Sequence, residues 1–91
     1  MDMAVDWQDK KSSFGVIDVR NLTNNFLPMI LRQAQKVDLN SGLCVVQSFE
    51  PKPLYSALND LGFEHVTEKV SDHEYRCYFY RTEMNTITYE S

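Results

Sequence analysis

Apolar and polar residues along this chain fall into short blocks, and each block keeps one of two periods. Phe14-Gly15-Val16-Ile17-Asp18-Val19 is a β-rich run of strand length. Leu27, Ile30, Leu31, Ala34 and Val37 then recur at three- and four-residue spacing, the stripe of an amphipathic helix. Thr23, Asn24 and Asn25 offer N-caps for a helix that begins near Phe26. Pro28 fits its first turn, where no backbone N–H is required. Asn40-Ser41-Gly42 ends the helix. Leu43 to Phe49 is a nearly continuous apolar run, as expected of a central strand. Pro51-Lys52-Pro53 opens a second helix. Its Leu54, Leu58 and Leu61 share one face and should be buried against the sheet, with Gly62 as the glycine that follows a helix. Phe63 to Val70 reads as a third strand and Ser71-Asp72-His73 as a turn. Glu74 to Arg81 alternates, with Tyr75, Cys77 and Phe79 on one face and Arg76, Tyr78 and Tyr80 on the other.

The predicted order is β-α-β-α-β-β. A right-handed crossover makes the first two strands parallel, and the last two form an antiparallel hairpin. The expected fold is therefore an α/β (α+β) two-layer sandwich, a mixed four-stranded sheet with both helices on one face. The predicted domain spans residues 14–82. Residues 1–13 are mostly polar and read as a flexible leader. Residues 83–91 form a tail in which Thr86-Ile87-Thr88-Tyr89 alternates in strand fashion, so residues 84–90 are expected to add a strand to a sheet edge, within one chain or across a homodimer. The sheet face away from the helices has no predicted cover. It carries Arg76, Tyr78 and Tyr80, with Phe63, His65 and Lys69 placed beside them by strand parity, and is a candidate contact surface.

Composition narrows the function. With 91 residues the chain makes one domain, whose core is too small to enclose a large cavity as well. Apolar residues at 43% and charged residues at 24% point to a globule rather than a disordered chain. Thirteen acids against nine bases give a net charge of -4, and no window is densely basic, which argues against nucleic acid as a partner. No apolar run approaches the roughly 20 residues that span a bilayer, so no membrane partner is expected. The first six residues lack the basic and apolar regions of a signal peptide, which predicts a cytoplasmic protein with reduced thiols.

Candidate chemistry is sparse. Cys44 and Cys77 have no CxxC spacing and sit in apolar runs, as buried strand cysteines do; the sharper alternative is a redox or sulfur-relay pair. His65 and His73 lie eight apart across a hairpin, near Glu64, Glu68, Asp72 and Glu74. That is not a ligand spacing, so neither metal nor cofactor is expected. Asp18 and Arg20 flank the end of the first strand, where open α/β sheets bind ligands. With Asn24 and Asn25 they form a candidate polar lip at the first helix's N-terminus; the blander reading is an ion pair or cap. No catalytic constellation emerges.

Together, Asp18-Val19-Arg20-Asn21-Leu22, Gly42-Leu43-Cys44-Val45-Val46, Glu50-Pro51-Lys52-Pro53-Leu54-Tyr55 and Gly62-Phe63 resemble the TusA-like (SirA-like) superfamily over residues 14–82. The nearer resemblance is to an uncharacterised branch with Asp-Val-Arg-x-Leu and His-Asp-Pro-x-Pro-Leu patterns. Sulfur carriers of the superfamily hold a Cys-Pro pair at the start of the first helix, where the helix N-terminus lowers a thiol pKa. Asn24-Asn25 stands at the matching place, and Phe49-Glu50 replaces the branch's His-Asp. The loop Glu50, Pro51, Lys52 and Pro53 remains a candidate motif. The resemblance implies a carrier-like fold without the carrier's sulfur chemistry. Three functions follow in order of preference. The first is a non-enzymatic interaction module whose partner is another protein or a second copy. The second is a thiol relay through Cys44 or Cys77. The third is an RNA-binding domain.

Overall fold

A computed structural model describes residues 7–20 and 26–84. The sheet has four strands, β1 (Gly15–Asp18), β2 (Gly42–Gln47), β3 (Phe63–Ser71) and β4 (Glu74–Arg81), in the order β1-β2-β4-β3. The first pair is parallel and both pairs made by β4 are antiparallel, which is the expected mixed sheet. Helices α1 (Leu27–Gln35) and α2 (Lys52–Asp60) form the second layer.

Each helix begins and ends for a local reason. Pro28 and Pro53 stand in the first turns, where a missing N–H costs nothing. The caps expected from Thr23, Asn24 and Asn25 lie outside the described residues; Phe26 flanks α1 and makes no side-chain cap. Gly62 follows α2 with φ 101°, a conformation that disfavours any residue with a Cβ, and a Cβ there would also overlap the Glu83 carbonyl.

The main core lies between sheet and helices. Leu54, Leu58 and Leu61 are buried on the expected face, with Ile30 and Ala34 from α1 and Leu43, Val45, Phe63, Cys77 and Phe79 from the sheet. Arg81, the last residue of β4, is buried among them. Its guanidinium donates to the carbonyls of Ala34 (3.3 Å) and Val37 (2.9 Å), and its Nε to that of Glu83 (3.0 Å). These contacts tie the carboxyl end of α1, where carbonyls lack helical partners, to the sheet.

Two expectations are corrected. Residues 7–13 of the presumed leader form a 3-10 helix (Trp7–Ser13) that packs on the sheet's second face. The cause is aromatic burial. Trp7 stacks on Tyr80 at 5.3 Å between ring centroids and on Phe14 at 6.0 Å, and its indole N–H donates to Glu64 at 3.0 Å. The parity of β3 also differs by one residue. Phe63 pairs with Arg81 and His65 with Phe79, so both face the helices, whereas Glu64, Val66 and Glu68 pair with Tyr80, Tyr78 and Arg76. The irregular apolar spacing of Phe63, Val66 and Val70 does not fix a register, and a slip of one residue exchanges the faces.

Candidate functional site

The carboxyl ends of β1 and β2 carry the first candidate. Arg20 reaches back to Asp18 with Nε 3.0 Å and Nη2 2.7 Å from the carboxylate, and its backbone N–H donates to the same group at 3.0 Å. These bonds hold the Asp18 carboxyl at about 2. Glu74 joins from the start of β4, 3.4 Å from Arg20 and 2.9 Å from Arg76. The result is an alternating chain Asp18–Arg20–Glu74–Arg76 whose charges satisfy one another. It is an exposed ion-pair network, and such pairs contribute little individually. Asn24 and Asn25, the rest of the expected lip, lie outside the described residues. Gln47, buried at the end of β2, leaves its side-chain amide N–H groups unpaired among the described residues.

The loop Glu50-Pro51-Lys52-Pro53 docks α2 on β3. The Tyr55 hydroxyl, one turn into α2, donates to Glu50 at 3.1 Å and also meets the Thr67 hydroxyl. The Tyr55 ring stacks on His65 at 3.9 Å. Burial pushes the Tyr55 phenol up and the His65 imidazole down, so both favour their neutral forms. The cluster is a hydrogen-bonded clamp between layers. It includes no group activated as a nucleophile. His73 lies apart in the β3–β4 turn, its backbone N–H 3.3 Å from the Ser71 hydroxyl. Among the described residues, no cluster of three His, Cys, Asp or Glu side chains is placed to hold a metal.

The sheet-face candidate is redistributed. Tyr80 is buried under Trp7 and Phe14, and its hydroxyl is 3.1 Å from the Asn40 side-chain oxygen and 3.3 Å from the Lys10 ammonium. The Lys11 ammonium lies 4.6 Å from the centroid of the Tyr78 ring and pairs with Glu68. Arg76 belongs to the ion-pair network at the sheet's end. The aromatic face expected to be open is thus a second, smaller core under the 3-10 helix.

The two thiols are separated by the sheet. Cys44 lies in the cluster with Trp7 and Phe14, and Cys77 in the cluster with the helices. Both are buried, and burial pushes both thiols up, away from the reactive thiolate. The native protein is expected to leave both unmodified by Ellman's reagent, with both reacting once urea unfolds it. Stoichiometric reaction of either cysteine in the native state would restore the thiol-relay reading.

The feature the sequence did not disclose is the outer edge of β1. Val19 N–H donates to the Val46 carbonyl at 3.0 Å, which fixes the parity. Gly15 and Ile17 turn their backbone groups toward β2, whereas Val16 and Asp18 turn N–H and C=O outward. Among the described residues nothing pairs with that edge. Val16 is 60% exposed. Beside it a groove of about 370 Å³ runs between β1 and α1, lined by Gly15, Ile17, Gln33, Lys36, Val37 and Leu43. A Cβ at Gly15 would meet nothing within 4 Å. The other outer strand differs. β3 carries Glu64, Glu68 and Lys69 and has a register shift between Lys69 and Ser71, devices that discourage pairing.

No described helix is long and apolar enough to cross a membrane. No family model, no curated protein and no solved structure matches the chain.

Proposed function

We propose that this chain is a non-enzymatic interaction module with a sulfur-carrier-like fold that lacks the carrier cysteine, and that it takes up an extended protein segment along β1. The observation that carries the reading is the outward-facing N–H and C=O of Val16 and Asp18 beside an open, mostly apolar groove. Strand addition uses this arrangement: main-chain hydrogen bonds supply affinity, and alternate side chains fill a groove. The carrier-like reading is supported by the placement of the residues that carry the resemblance. Asp18 ends β1 with Val19 and Arg20 following it, and Glu50-Pro51 leads into α2, which begins Lys52-Pro53. Buried thiols on opposite faces of the sheet fit a reducing, cytoplasmic setting. The acidic balance weighs against the RNA alternative.

The test is selection of peptides from a random library on the full chain, followed by backbone shift mapping with the best binder. Perturbation should centre on the amides of Val16, Asp18 and Lys36, with slowed exchange at Val16 and Asp18. A library that yields no binder, or binders that map to the β3 edge or the 3-10 helix, would refute the proposal.

A further inference from the structure

The β1 groove has a charge bias that identifies its occupant. Helix α1 carries Arg32, and Lys36 caps its end and is the one charged side chain lining the groove; the nearest acid along the chain is Asp38. Both side chains are exposed, and no ion pair engages either among the described residues. The fitting occupant is an extended, β-branched or aromatic segment with acids and no bases.

The chain contains such a segment. From Glu83 onward it reads Glu83-Met84-Asn85-Thr86-Ile87-Thr88-Tyr89-Glu90-Ser91, with two acids, no base and period-two alternation of Ile87 and Tyr89. Residues 85–91 lie outside the described residues. Resting on the interaction-module reading, we propose that residues 86–90 of a second copy occupy the β1 edge, making the protein a reciprocal, tail-exchanged dimer. Ile87 and Tyr89 would enter the groove over Gly15 and against Ile17 and Val37. Glu90, the one acid among residues 86–90, would lie near Lys36.

Geometry favours exchange between copies over pairing within one. Thr82 and Glu83 N–H groups both bond the Gly62 carbonyl, which places residue 84 at the start of β3, on the far side of the sheet from β1. Crossing from the start of β3 to beyond β1 takes four strand spacings, about 19 Å. Seven residues reach at most about 25 Å when fully extended. A tail that crossed its own sheet end would keep at most about two residues for pairing. A neighbouring copy removes that limit, and reciprocal exchange closes the assembly at two chains.

Sedimentation of the full chain tests this, compared with a double variant Ile87→Asn, Tyr89→Asn that alters no residue of the described fold. The parent is expected to be a dimer that weakens with salt and whose unfolding midpoint rises with protein concentration, and the variant a folded monomer whose midpoint does not. A synthetic peptide of residues 83–91 added to the variant should shift the Val16, Asp18 and Lys36 amides. Lys36→Glu should weaken that binding on the order of tenfold, because it sets like charges against each other. A monomeric parent would overturn the exchange, as would a peptide that fails to perturb β1. If library-selected peptides still map to β1, only this occupant is wrong. If nothing maps to β1, the interaction-module reading falls with it.

Discussion

Replacing Arg81 by alanine is expected to lower the unfolding free energy by about 3–5 kcal/mol, because it empties a buried site of a large side chain and removes the donor to three carbonyls at once. Arg81 is 1% exposed and donates to carbonyls at the end of α1 and to that of Glu83. In the variant the Ala34 carbonyl keeps the Val37 N–H, whereas the Val37 and Glu83 carbonyls lose this donor. Its guanidinium also lies 5.2 Å from the Phe63 ring centroid, so the truncation removes packing as well. Arg81→Met separates the two effects. It restores most of the apolar stem and none of the donors, so it should recover a minor part of the loss. Urea unfolding followed by far-ultraviolet circular dichroism gives the magnitude, and amide exchange should quicken first at Lys36 and Val37, whose N–H groups bond within the last turn. A loss under about 0.5 kcal/mol for Arg81→Ala, the range of surface substitutions, would mean the contacts carry no weight.

Arg81 also shows where sequence reasoning stops. An arginine closing a strand is ordinarily a solvated end residue, and alternation alone put it on the face shared with Cys77 and Phe79 without saying that it is buried. What buries it is the end of α1, forty-odd residues earlier, whose carbonyls need donors. Local periodicity carries no such information. By contrast, Leu54, Leu58, Leu61 and Gly62 were legible in position and role, because helix spacing and a positive-φ glycine are local demands. The parity of β3 failed for the complementary reason. Phe63, Val66 and Val70 do not alternate, so only pairing with β4 decides which side faces the helices.

The candidate site divides along the same line. The Asp18–Arg20 contact was readable as two charges flanking one strand residue, yet its continuation through Glu74 to Arg76 depends on where the β3–β4 hairpin returns. The β1 edge was not readable at all. Its run of apolar residues looks like any strand, and being outermost is a property of the sheet order. Exposure of Val16 then follows from topology, and the groove beside it from Gly15, whose missing side chain leaves space between strand and helix.

Trp7→Ala is expected to cost about 3–5 kcal/mol, the usual range for emptying a large aromatic site in a core. The segment Trp7-Gln8-Asp9-Lys10-Lys11-Ser12-Ser13 has a single apolar residue, too little to predict an element, yet that residue is 5% exposed. Its plane lies within 6° of the Tyr80 ring. The rest of the helix holds by polar contacts at its margin, Lys11 with Glu68 and the Ser13 hydroxyl with the Lys10 carbonyl at 2.7 Å. Exposed contacts of that kind contribute less than about 1 kcal/mol each, so the indole is the anchor. Trp7→Phe should lose far less, about 1 kcal/mol, since a ring still stacks and only the hydrogen bond to Glu64 goes. Thiol chemistry supplies a second readout. Cys44 shares the buried cluster with Trp7, whereas Cys77 sits across the sheet under the helices. In Trp7→Ala under native conditions Cys44 should become reactive to Ellman's reagent while Cys77 stays protected. Equal slowness of both thiols, together with an unchanged unfolding midpoint, would show that the 3-10 helix is not a cover. Reaction of both at one rate would mean that the two cores open together and that Trp7 holds the whole fold.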